Sequence, residues 1–206
     1  MQAALQLNRT GMRDDSSSDQ LTEWLTAVGR DRSKTAFQSL FEHFAPRLRS
    51  FMRTQGASEA VADDLVQETI YKALKSADKL RDVATIDAWL YRILYNCWQD
   101  YLRVKGRNVE FVEMHDSEQA DQSESYQQSQ IVKRVRSSIE KLPMPLREVV
   151  TLADFSGLSY AEIADVTNVP IGTVMSRLFR ARQNLKQELL EFGSDNLSEL
   201  VLRRVK

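Results

Sequence analysis

Apolar residues recur at three- and four-residue spacing through most of this chain, the rhythm of helices that bury one face. The rhythm starts near Leu21. Phe37, Leu40, Phe41 and Phe44 share one stripe; Pro46 predicts an interruption, after which Leu48, Phe51 and Met52 restart it. Gly56-Ala57-Ser58 breaks the pattern, and Ser58 is suited to cap a helix from Glu59 to about Ala77 carrying Val61, Leu65, Ile70 and Leu74. Asp87 is the expected N-cap of a further helix reaching Val104, with Leu90, Ile93, Leu94, Cys97 and Tyr101 as its core stripe. Periodicity then fades over residues 105–128 and returns at Ile131, with Val135, Ile139 and Leu142 on one face. Pro143 and Pro145 separate that helix from the next, Pro145 suiting a first helical position. No stretch alternates like a strand. The expected fold is all-α: two small helical domains joined by a flexible linker. The boundaries are a mobile tail (1–20), a first domain (21–104), the linker (105–128), a second domain (129–192) and a C-terminal tail (193–206).

The sharpest local pattern runs from Leu158 to Arg182. Ser159 followed by Glu162 forms a capping box that opens a short helix. Thr167-Asn168-Val169 supplies a tight turn, and Pro170 can begin the following helix. In that helix Val174, Leu178, Ala181 and Leu185 fall on one stripe, while Ser176, Phe179, Arg180 and Gln183 face away, flanked by Met175 and Arg177. A short support helix, a tight turn and a basic outward helix make a helix-turn-helix, whose second helix enters the major groove of DNA. Arg suits guanine edges or phosphates, and Thr173 and Ser176 suit phosphates near the helix N-terminus. The competing reading is an amphipathic surface helix with a solvated basic face.

Composition changes this picture through its distribution. The formal net charge is −1, yet residues 109–128 hold six acids and no Lys or Arg. Residues 129–190 hold nine basic residues against six acidic ones, a local balance of +3, and residues 171–186 carry four basic residues and no acid. An acidic linker beside a basic segment points to a polyanionic partner for the second domain. The single cysteine, Cys97, rules out an internal disulfide and fits a reducing compartment. No apolar run approaches bilayer length and no signal-peptide core precedes Asp19, so a cytoplasmic location is expected.

Two patterns invite chemistry of other kinds. Residues 87–104 carry Trp89, Tyr91, Tyr95, Trp98 and Tyr101, and the core stripe leaves Tyr91, Arg92, Tyr95, Asn96, Gln99 and Arg103 available. Such a surface suits unstacked bases of single-stranded DNA, although an aromatic-rich helix more often builds a core. Asp63-Asp64-Leu65-Val66-Gln67-Glu68 places Asp64 and Glu68 on one helical face. Catalytic metal binding would want more ligands, and the only histidines are His43 and His115. Without a glycine-rich phosphate loop or a nucleophile elbow, neither an enzyme nor a cofactor is expected, and the carboxylates suit either a solvated acidic face or a basic protein partner.

Taken in order, these blocks resemble the extracytoplasmic-function sigma factors of bacterial RNA polymerase. Residues 62–73 with Ala88-Trp-Leu-Tyr-Arg-Ile-Leu-Tyr-Asn96 and Asp100-Tyr-Leu-Arg103 resemble their region 2; Leu142-Pro, Leu146-Arg-Glu-Val, Ser159-Tyr-Ala-Glu-Ile-Ala and residues 172–182 resemble region 4. The resemblance implies that Asp64, Gln67 and Glu68 dock on the clamp helices of the polymerase β′ subunit, and that Arg92 and Asn96 handle the melted −10 element. It implies that the loop from about Leu80 to Ile86 holds a flipped base, and that Thr173, Met175, Ser176, Arg177, Phe179 and Arg180 read the −35 duplex. Met175 stands where the family often carries Lys or Arg. The implied partners are core polymerase through β′ and β, promoter DNA and an anti-sigma factor, without membrane insertion. The alternative is a helix-turn-helix regulator that binds duplex operators alone, with residues 21–104 as a sensory or dimer domain.

Overall fold

The computed structural model describes residues 33–76, 86–105 and 134–191, together with Glu23, Trp24 and Ala27. The tails, most of the linker and nearly all of the 80–86 loop lie outside the described residues. Among the described residues every regular element is helical: α1 (Lys34–Thr54), α2 (Glu59–Lys75), α3 (Ile86–Lys105), α4 (Met144–Val150), α5 (Tyr160–Thr167) and α6 (Ile171–Glu191). Residues 134–140 are also helical, and a π turn over Thr151–Phe155 extends α4.

The interruption expected at Pro46 does not occur, because α1 runs through it. The proline gives up one helical hydrogen bond, but Leu40, Phe44, Leu48, Phe51 and Met52 on either side of it are all buried on one continuous stripe. Burying five such side chains, at roughly 1.5–3 kcal/mol each, outweighs a proline penalty of about 3 kcal/mol. Ser58 caps α2 as expected, its hydroxyl accepting the Val61 N–H. Asp87 does not cap α3; it sits in the first turn and pairs with Arg47 at 3.0 Å, tying α3 to α1.

Helices α1, α2 and α3 pack around Leu48, Met52, Val66 and Leu94, which are essentially closed to solvent. The second half closes on Val149, Leu152, Ile163, Val174, Leu178 and Ala181. The capping box is complete: the Glu162 N–H donates to the Ser159 hydroxyl, and the Ser159 N–H donates to the Glu162 carboxylate at 2.8 Å. Asn168 ends α5 in the left-handed conformation, φ 53°, a strained position that asparagine tolerates better than most side chains. The chain thereby turns within three residues from α5 into α6. That turn aims α6 outward.

Candidate nucleic-acid interface

All four residues of the expected inner stripe of α6, Val174, Leu178, Ala181 and Leu185, are buried. Ser176, Phe179, Arg180 and Gln183 on the far side are exposed, as is Met175, whereas Thr173 and Arg177 are half-buried. The Ser176 hydroxyl donates to the Thr173 carbonyl at 3.0 Å, so both lie on one turn near the N-terminal end of α6. Arg182, counted in the basic run, is a correction: it turns inward and is only 8% exposed. Its guanidinium donates to both carboxylate oxygens of Asp154, at 2.9 and 3.5 Å, and to the Tyr160 hydroxyl at 3.5 Å. Those bonds raise the Arg182 pKa although burial opposes them. One buried arginine therefore fastens α6 to the π turn and to the first residue of α5.

On α3, Arg92 and Asn96 are both exposed and lie one helical turn apart. Tyr91, expected to be available, is buried and packs edge-on against Phe51 with ring centroids 5.4 Å apart. Trp98 is buried as well and stacks on Tyr101. Helix α3 is covered on two sides, by its own bundle and by the second half of the chain. Its aromatics consequently serve packing more than an open surface.

On α2, Asp64, Gln67 and Glu68 are exposed together, and Glu68 pairs with Lys72 at 2.8 Å. Asp63 is instead tied to Arg49. The described residues contain no group of His, Cys, Asp and Glu able to hold a metal ion, and no helix of the described residues is long and apolar enough to cross a membrane.

Sequence reasoning missed a polar junction between the halves. Glu148 on α4 is 2% exposed and accepts hydrogen bonds from the Tyr95 hydroxyl at 3.3 Å and the Gln99 amide at 3.5 Å, both on α3. Arg147 beside it donates across the same boundary to the Thr54 carbonyl at 3.3 Å. Burial pushes the Glu148 carboxyl up to about 7, against the opposing pull of Tyr95, Arg177 and Arg147. Burial and the Glu148 charge together push the Tyr95 hydroxyl well above its usual range. A possible signal was the row Tyr91, Leu94, Trp98, a second apolar stripe on α3 that asks for a second packing partner.

The exposed faces of α2, α3 and α6 are thus three separate surfaces on one helical frame. Residues 40–108 match the family model for Sigma-70 region 2, and residues 133–185 match that for Sigma-70, region 4. The chain is 32% identical over 185 residues to the ECF RNA polymerase sigma-E factor of Escherichia coli K12, covering 84% of this chain and 96% of the relative. It is 30% identical to the sigma-E factor of Haemophilus influenzae, covering 84% and 97%. Among solved structures it is similar to the Bartonella quintana sigma factor RpoE in complex with the anti-sigma factor NepR, with 29% identity, a TM-score of 0.64 and coverage of 74% and 96%. A second is CnrH in complex with the cytosolic domain of CnrY, with 25% identity, a TM-score of 0.56 and coverage of 84% and 96%. The chain belongs to the extracytoplasmic-function sigma factors, which direct RNA polymerase to promoters. Matching both regions sets aside the stand-alone regulator, since residues 40–108 are a sigma region and not a sensory module.

Proposed function

We propose that α6 reads the −35 duplex through Thr173, Met175, Ser176, Arg177, Phe179 and Arg180, and that α3 handles the melted −10 strand through Arg92 and Asn96. Asp64, Gln67 and Glu68 on α2 meet the clamp helices of the polymerase β′ subunit. Residues 21–104 and 129–192 act as the two working domains, and the acidic segment between them threads toward the RNA path. The observation that carries the reading is the sidedness of α6. Its inner stripe is closed core, while its outer face holds Ser176, Phe179, Arg180 and Gln183 in solvent along a run with no acidic residue from 171 to 186. An amphipathic surface helix also shows a polar face to solvent, but an acid-free face with Arg180 and Ser176 in a complete helix-turn-helix is suited to a duplex.

Because similar chains are seen in complexes with an anti-sigma factor and with a cytosolic protein domain, an anti-sigma factor is the expected regulator here. The protein acts in the cytoplasm, contributes no catalytic step of its own and needs no cofactor. In vitro transcription with purified core polymerase on a promoter-fragment library tests the reading. Specific transcripts that require the protein support it; their absence with active core enzyme and no inhibitor present rejects it.

A further inference from the structure

Helix α6 carries an apolar ridge that hydrogen bonding does not use. Ile171, Met175 and Phe179 recur at four-residue spacing and are 50%, 54% and 60% exposed. Three large apolar side chains in line on an exposed helix lose the benefit of burial unless something covers them. Their neighbours on the same outer surface are Ser176 and Arg180. The segment 171–186 holds no acid, and of its basic residues Arg182 is paired inward with Asp154 while Arg177, Arg180 and Lys186 remain exposed or half-buried. That charge favours a polyanion as the cover. A duplex presents one apolar group along the floor of its major groove, the C5-methyl of thymine.

Resting on the −35 reading above, we propose that Met175 and Phe179, with Ile171 at the edge, form an apolar reader of thymine methyl groups in the upstream promoter duplex. Met175 has no donor for a base edge, so what it contributes there is contact with an apolar group. Phe179 adds a flat apolar face one turn on. Four residues advance a helix by about 6 Å, and neighbouring base pairs lie about 3.4 Å apart. Consecutive ridge residues therefore address methyls about two base pairs apart. The upstream element of this sigma factor contains thymines at that spacing, on one strand or the other, beside the pairs contacted by Ser176 and Arg180.

The test compares matched promoters, using the full chain with core polymerase. The strongest promoter from a randomised upstream library is rebuilt with each upstream thymine replaced by deoxyuracil, which pairs identically but lacks the methyl. Transcription from the substituted template is expected to fall about three- to fivefold at each contacted position, the effect of burying one methyl-sized group. The M175A/F179A variant, altered only at exposed positions, is expected to transcribe thymine and deoxyuracil templates alike. Equal output from the wild-type protein on both templates at every upstream position overturns the proposal and leaves the ridge to a protein partner. A library whose output does not depend on the upstream sequence overturns the −35 reading itself, and this proposal with it.

Discussion

Glu148 supplies a pH dependence whose sign and size follow from its position. The carboxyl is buried between α3 and α4, and burial lifts it from 4.5 to about 7. Such a lift corresponds to a penalty on the order of 3 kcal/mol for keeping the ionised form in place. Below the lower value the carboxyl is protonated whether buried or exposed, so pH has no effect through it. Between the two values the exposed form has released its proton while the buried form still holds one. The buried arrangement is then the one that binds more protons, so its stability falls as pH rises through this window. Above about 7 both forms are ionised and the penalty is complete. Arg147 and Arg177 both soften it and Tyr95 donates to the carboxylate, yet desolvation exceeds all three.

Replacing Glu148 with Gln removes the charge and keeps an oxygen that can accept from Tyr95. A chain of this size moves its thermal midpoint by about 2–4 °C per kcal/mol, so Glu148→Gln is expected to melt roughly 6–12 °C above the wild-type protein at pH 8. At pH 5 the two midpoints should nearly coincide. The assay is thermal unfolding of both proteins from pH 5 to 8, read as their difference so that other titrating groups cancel. A difference that stays flat across the range, or a variant that melts lower at pH 8, would refute a buried, charge-penalised Glu148. Because Tyr95 and Gln99 belong to the helix that also presents Arg92 and Asn96, separation of the halves at higher pH would uncover that side of α3.

Three further outcomes are expected. Arg180→Ala should lower −35-dependent initiation by roughly 5- to 150-fold, the range for losing one good base contact, while co-purification with core polymerase is unchanged. An equal loss of core binding would mean that this face of α6 is not reserved for DNA. Reversing both charges of Asp64 and Glu68 to Arg should weaken capture by core polymerase by more than about tenfold, since like charges would then face each other; undiminished capture removes the docking role. Asp154→Ala should cost roughly 3–5 kcal/mol in urea unfolding by stranding Arg182, and the D154A/R182M pair should recover much of that. A loss below about 1 kcal/mol would show that the pair does not hold α6.

Much of the second half was legible because its signals are local. A capping box and a tight turn at Asn168 each act within one or two turns, and the four-position apolar stripe repeats three- and four-residue spacings over about three. They sit where Ser159, Asn168 and Val174 predict them. The surfaces of α2 and α6 were legible for the same reason, since knowing which stripe is core also tells which residues are left outside. Pro46 misled because a single-residue rule was weighed without the shared stripe on both sides of it. Arg182 misled because charge was counted along the chain, while its partner Asp154 lies 28 residues away and becomes its neighbour only after folding.

Helix α3 marks where sequence reasoning runs out. Periodicity identifies one buried face well when a helix has one packing partner, but α3 has two, so nearly all of its apolar residues are needed inside. Tyr91 then reads as a spare aromatic although it is core. The same geometry explains Glu148. Its neighbours Tyr95 and Gln99 come from another helix, 53 and 49 residues earlier, and no local rule distinguishes a buried acid from a solvated one. The residues that decide how the two halves meet are thus those whose partners are remote in the chain. The residues proposed to meet DNA and polymerase sit within short motifs, so the family resemblance could name them without knowledge of how the two halves meet.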